Sequence, residues 1–422
     1  MLTPLAKATL LLVVFVDLIG QGLVFPIING LVMEPASGFL PEGTSMARRH
    51  FDYGMVIGTF FLAWFFGVIY VARVSDAIGR KNAMLVCLFG ALSGYAISIW
   101  AVMTNNIWLL MLGRAITGFT AGNQPIAQAA MIDGSSNDAE RDRNMGLILI
   151  GVSLGLVGGP IIGGVLSDKS LIGDIASYTL PLYASLGLVA LAIVMVVFFF
   201  HDIRTERQPF VFRPLDVFTS LWKITKHPVV MKLMPVYTLF MLANVTFYIF
   251  VDNYLTSRFG YGVVGGSIAM IVIGVAIAIS GTFFVAPVQQ RFGKRVVIGA
   301  TLVVWLFAIV AFITITYGPA DFLPPFFFYL IFGVSYPLFL GLFSSAVEDA
   351  DQGWVMGVTT AVFCLAGGIT SLMGGWLMGI DIRMPYFIAG TAAVLALLLV
   401  LATWGRPEIR AITAPPSSDR EA

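Results

Sequence analysis

Four groups of residues in this chain have types and spacings that could do chemistry. The run Val14-Phe15-Val16-Asp17-Leu18-Ile19-Gly20-Gln21 sets one carboxylate among apolar neighbours. A carboxylate in such surroundings is costly to keep, and the work open to it is to take up and release a proton. Gly113-Arg114 sets a guanidinium in another apolar run, where it survives only by facing a cavity or a partner. Gln128, fourteen residues on, falls near the same helical face as Arg114, whereas Asn123 is expected to point away from it. The third group is the polar stretch Ser75-Asp76-Ala77-Ile78-Gly79-Arg80-Lys81. Gly79 permits a tight turn there, and Asp76 could cap an adjoining helix N-terminus, where the dipole favours a carboxylate. Asp133 ends an apolar run, so it wants a cation, and Arg80 or Lys81 is the natural candidate. The fourth group is a glycine ladder, Gly146-x8-Gly155-x3-Gly159-Pro160-x2-Gly163-Gly164. Gly155, Gly159 and Gly163 recur every four residues and make one smooth helix face, which lets helices approach closely. Pro160 is expected to kink that helix.

These residues must be positioned by a membrane protein. The 422 residues are 58% hydrophobic and only 11% charged, against roughly 25% charged in soluble domains. Their mean hydropathy is +0.91. A bilayer core of about 30 Å needs roughly 20 apolar residues as helix. Twelve such runs occur, near 8–32, 52–74, 83–103, 107–132, 145–167, 179–200, 229–254, 263–288, 296–317, 324–346, 356–379 and 384–404. The first is too long for a signal-peptide core and has no small-residue cleavage site after it, so it reads as a true span. The expected fold is all-α and polytopic. Strand-like alternation, the mark of an outer-membrane barrel, is absent.

Lys and Arg give the orientation. With the N-terminus inside, 17 of the 24 fall in inner segments and 5 in outer loops, so both termini are expected in the cytoplasm. Asp17 is the one acid in the middle of any predicted span, with Asp252 near the outer end of the seventh. His50, His201 and His227 all fall in predicted loops. Cys87 and Cys364 lie in apolar runs and predict no disulfide. Charges nearly balance, which argues against nucleic acid as a partner. No phosphate-binding Gly-x4-Gly-Lys-Ser/Thr loop, Cys/His metal cluster or nucleophile elbow is present, so no cofactor, no metal and no enzymatic activity are expected. The bilayer, a small-molecule substrate and protons are the expected partners, with the chain acting as a monomer.

The chain divides into an N-terminal six-helix bundle (1–200), a linker (201–228), a C-terminal bundle (229–404) and a tail (405–422). Within the linker, Leu215, Phe218, Leu221 and Trp222 stand at helical spacing and predict an interfacial helix over 214–226. The halves repeat. Gln290-Arg291-Phe292-Gly293-Lys294-Arg295 answers the Asp76–Lys81 stretch, and Gly374-Gly375 answers Gly163-Gly164 at an offset of 211. Duplication of six spans is a transporter design, because one half can rock against the other.

With these motifs in hand, the chain resembles a major facilitator superfamily transporter, and most of all the twelve-span drug/proton antiporters that include the tetracycline exporters. Asp76, Gly79, Arg80 and Lys81 match that family's loop signature, although Ala72 stands where a glycine is usual. Arg114 matches its helix 4 arginine, Asp17 its helix 1 acid, and the Gly146–Gly164 ladder its antiporter motif. In the second half Thr370-Ser371 stands where Gly-Pro would be. The resemblance implies two pseudo-symmetric halves and a gate latch at Asp76, Gly79, Arg80, Lys81 and Asp133, with proton coupling through Asp17 and Arg114. It also implies a cavity lined by helices 1, 4, 7 and 10, with Gln21, Gln124, Gln128, Asn244, Tyr248 and Tyr336 as its polar and aromatic members. The implied function is proton-driven export of a small amphipathic molecule across a bacterial inner membrane. Two alternatives stay open here: import of a solute such as a siderophore, and a sensor or scaffold that transports nothing.

Overall fold

The computed structural model describes residues 2–202, 216–348 and 351–413. Among them, eleven helices are long and apolar enough to cross a membrane. The first half contains α1 (Pro4–Met33), α2 (Met46–Ile78) and α3 (Arg80–Met103), then the short pair α4 (Ile107–Phe119) and α5 (Asn123–Asp133). It continues with α6 (Asp138–Ser167), a single turn α7 (Lys169–Ile172) and α8 (Leu180–Phe199). A short helix α9 (Asp216–Trp222) leads into the second half. There follow α10 (Pro228–Phe259), α11 (Gly262–Ile279) and α12 (Val285–Arg291), the last two joined by a π-helical turn at Ser280–Phe284. Then come α13 (Lys294–Thr314), α14 (Leu323–Ser345), α15 (Gln352–Met378), α16 (Met384–Thr403) and a tail helix α17 (Pro407–Thr413).

The fourth predicted span, 107–132, is divided. Thr120 and Gly122 leave helical geometry, and Pro125, which has no N–H to donate, sits in the first turn of the new helix α5. The two pieces of 13 and 11 residues occupy the stretch of chain read as one crossing.

Of the long helices, α1 and α10 are the most buried. The duplicated glycine pairs explain how the halves meet. A Cβ on Gly163 would press on Leu23 of α1, its own half, whereas one on Gly164 would sit 2.7 Å from Ser267 Oγ of α11, in the other half. Their counterparts behave alike. Gly374 faces the Phe250 ring of α10, its own half; Gly375 lies against His50 O and Gly54 Cα of α2, across the seam, at 2.6 and 2.9 Å from the same imagined atom. Each doublet therefore gives one glycine to its own bundle and one to a seam, so the α6–α11 and α2–α15 seams are equivalent.

The face at which α1 begins is knit by polar contacts. Lys7 Nζ meets Glu140 Oε1 at 2.7 Å, and Lys81 Nζ donates to Val197 O at 2.7 Å. The linker helix docks here. Trp354 Nε1 donates to Ser220 O at 3.0 Å, Lys223 pairs with Asp351, and His227 stacks on Trp354 with centroids 4.8 Å apart. Phe218 and Trp222 are exposed while Leu221 packs inward, and the α-helix covers Asp216–Trp222, followed by a 3-10 turn at Lys223–Lys226. Leu215 lies outside the described residues. Cys87 and Cys364 are buried free thiols.

Candidate functional site: a carboxylate and a guanidinium at a broken helix

The division between α4 and α5 builds the site. A new helix begins with unsatisfied backbone N–H groups and the positive end of its dipole. Asp17 of α1 occupies that end: Gln124 N–H donates to Asp17 Oδ2 at 3.2 Å, and the Asn123 side chain reaches the same carboxylate. Asp17 then lines a cavity of about 30 Å³ together with Phe60, Tyr95, Arg114, Thr117 and Asn123, room for about one or two waters. Arg114 is buried, lies over the Phe60 ring at 4.2 Å from its centroid, and leaves Nε without a partner. A second, smaller cavity touches Arg114 and Tyr95 from the Ser98 and Leu182 side. Asp17 and Arg114 thus share a cavity, yet no ion pair joins them among the described residues.

Several expectations change here. Asn123 does not point away from Arg114; the break re-aims it into the same cavity. Gln124 takes part through its backbone. Gln128 is half-buried and is not among the cavity-lining residues, because the break shifts its helical phase relative to Arg114. The Gln21 side chain lies outside the described residues. Asn244, Tyr248 and Tyr336 lie in the other half. Asn244 is buried, with its backbone O accepting from Tyr329 at 3.2 Å. Tyr248 meets Phe25 edge-on at 5.1 Å, across the halves, and Tyr336 stacks on Phe332 at 5.3 Å. No described cavity brings all six predicted residues together. Tyr95 was missed by sequence reading, because nothing in the chain's linear pattern marks which tyrosine faces Arg114.

At the terminal face, Arg80 sits between two acids. Its Nε donates to Asp133 Oδ2 at 3.2 Å, and its Nη1 to Asp76 Oδ1 at 3.0 Å and Ser75 Oγ at 2.8 Å. Gly79 has φ +92°, a conformation that L side chains rarely adopt. Asp76 does not cap α3. That role falls to Asp202, whose Oδ1 accepts from Lys81 N–H at 3.1 Å. Exchanging the charges (R80D with D133R) should restore part of the transport lost in either single variant. Restoration is partial because Asp76 would then face a carboxylate. Equal loss in all three variants, measured as flux per unit of protein in the membrane, argues against the pairing.

The ladder on α6 separates by contact. A Cβ on Gly155 would lie 2.6 Å from Leu18 Cβ, and one on Gly159 would lie 2.7 Å from Ile19 O. Pro160 packs on Gly22 of α1, and α6 runs through it unbroken. A Cβ on Gly146 would meet nothing within 4 Å. One further expectation is corrected. His50 is not in a loop but inside α2, and buried. Asp252 and Asp321 are fully buried acids.

The Major Facilitator Superfamily model matches residues 10–371. The chain belongs to this superfamily. It is a multi-pass membrane transporter of small molecules and not an enzyme. The transporter is similar to the class C tetracycline resistance protein of Escherichia coli, at 26% identity over 366 residues, covering 86% of this chain and 85% of that one. It is also similar to the quinolone resistance protein NorA of Staphylococcus aureus, at 23% identity, covering 92% and 94%. Among solved structures, a D-xylose-proton symporter matches with TM-score 0.74 and 15% identity, covering 94% of this chain and 97% of that one; this likeness concerns the fold.

Proposed function

We propose that this transporter exports a small amphipathic organic molecule in exchange for protons, with both termini in the cytoplasm. The observation that carries the reading is the setting of Asp17: it faces a cavity, held by an amide N–H and a side-chain amide, with no ion pair to Arg114. A structural acid would be expected to pair with the cation sharing its cavity. An acid left without that partner, beside a water-sized space, can gain and lose a proton as the cavity opens and shuts. Arg114 then stabilises the ionised form at the moment it arises. The relatives named for resistance to tetracycline and quinolones support export of drug-like molecules, and the excess of Lys and Arg on the terminal face supports its assignment to the cytoplasm. Asp76, Gly79, Arg80, Lys81 and Asp133 are read as a latch on that face.

The test uses inverted membrane vesicles with the lumen made acidic. Tetracycline, or a fluoroquinolone, should accumulate inside and discharge part of the pH gradient as it does. Accumulation only in right-side-out vesicles would make the protein an importer. Flux that ignores the pH gradient would remove protons from the mechanism.

A further inference from the structure

Away from the terminal face, the halves are joined by a buried polar pair. Asn29 on α1 and Asp252 on α10 are both fully buried. Asn29 Nδ2 lies 2.8 Å from Asp252 Oδ1 and 2.6 Å from Thr256 Oγ1. The remaining oxygen of each side chain, Asn29 Oδ1 and Asp252 Oδ2, is buried without a partner. A neighbouring contact crosses the same seam: Tyr53 OH on α2 donates to Ile249 O on α10 at 2.9 Å. On the α11 side Gly266 leaves no room, since a Cβ there would overlap the carboxylate. The titratable groups that face Asp252 are Glu34 from α1 and Tyr53 from α2. His50 of α2 reaches the next residue, Asn253. No cation bonds to Asp252 among the described residues.

An ionised Asp252 in this seam would be an uncompensated buried charge beside a second acid, and two oxygens would lack donors. One proton on Asp252 Oδ2 removes both defects. It cancels the charge, and it makes Oδ2 an O–H donor on an acid already bonded to an amide whose own Oδ1 lacks a donor. We propose that Asp252 and Asn29 form a proton-binding site of the far-face gate, filled while the halves are joined there and emptied when they part. Separation of α1 from α10 breaks the pair and admits water. The Oδ2–H bond then breaks, the proton passes to water on that face, and the carboxylate is hydrated. Binding of a proton from that side reverses the sequence and favours closure. Its place in a transport cycle rests on the exporter reading above; the link between proton and gate does not.

The experiment follows the gate without substrate or gradient. Spin labels are placed at two exposed far-face positions, Ile175→Cys and Ile380→Cys, in the full chain in nanodiscs. Their separation is measured by electron–electron double resonance from pH 5 to 9. The ratio of open to closed populations should rise with pH, by up to about tenfold per unit for one linked proton. Asp252→Asn should hold the gate closed at every pH. Asn29→Leu, which removes the amide partner, should open it at lower pH than wild type and serves if Asp252→Asn does not fold. His50→Gln should keep the wild-type profile. The proposal is overturned if the wild-type gate ignores pH, if Asp252→Asn retains the profile, if His50→Gln abolishes it, or if sodium at fixed pH closes the gate. Loss of vesicle export with an intact gate profile would overturn the exporter reading alone.

Discussion

Replacing Asp17 by Asn should reduce pH-driven accumulation to no more than equilibration. A gradient of one pH unit stores about 1.36 kcal/mol per proton. With one proton exchanged per substrate, that sustains up to about a tenfold substrate gradient. Asn keeps the size of Asp17 and its capacity to accept from the Gln124 N–H and to meet Asn123, so α1 and α5 stay joined. It cannot change charge. Substrate should still bind and exchange downhill, but its inside-to-outside ratio should fall to about one, and substrate-induced proton release should vanish. The two measurements separate a coupling defect from a folding defect, because an unfolded variant would also lose downhill exchange. If D17N still concentrates substrate with unchanged pH dependence, the coupled proton lies elsewhere and Asp252 is the next candidate.

Gly159→Leu should abolish transport while the protein still reaches the membrane. The imagined Cβ at Gly159 lies 2.7 Å from Ile19 O, 3.0 Å from Leu23 N and 3.1 Å from Gly22 Cα. All three are backbone atoms and cannot turn aside as a flexible side chain would. Overpacking of this kind typically costs about 1–3 kcal/mol, enough to push α1 and α6 apart without preventing insertion. Gly146→Leu is the internal control. It belongs to the same sequence ladder, but a Cβ there would meet nothing within 4 Å, so its flux should stay close to wild type. Both variants are compared as flux per unit of protein in the membrane. Wild-type flux in G159L, or equal loss in both, would refute the contact-based distinction.

The crossing helices were legible because each is a long apolar run, and that property needs no neighbour to define it. The start of α2, the start of α6 and the end of α10, which carry extra polar turns beyond the apolar limits, were not, since hydropathy stops where the lipid does. His50 was misplaced for that reason. The break at Thr120–Gly122 was signalled by Gly122 and Pro125, but the surrounding hydropathy outweighed both. Missing it misplaced Asn123 and Gln128 together, because a helical phase counted from Arg114 does not survive a break. Position along the chain placed Asp17 and Asp252 within apolar runs. It did not give their burial, which depends on what α1 and α10 turn toward one another. Likewise Asp202 caps α3 from a distant part of the chain, and no local spacing announces that.

The eleven residues of α5 have a property of their own as a mechanical part. At about 1.5 Å per residue they make a rod roughly 16 Å long. Its first turn is held by the carboxylate of Asp17, and its last residue, Asp133, is held by Arg80. The break interrupts the helical backbone between α4 and α5, so the grip of Asp17 and the grip of Arg80 act on the two ends of one short uninterrupted rod, tied to each other by its backbone alone.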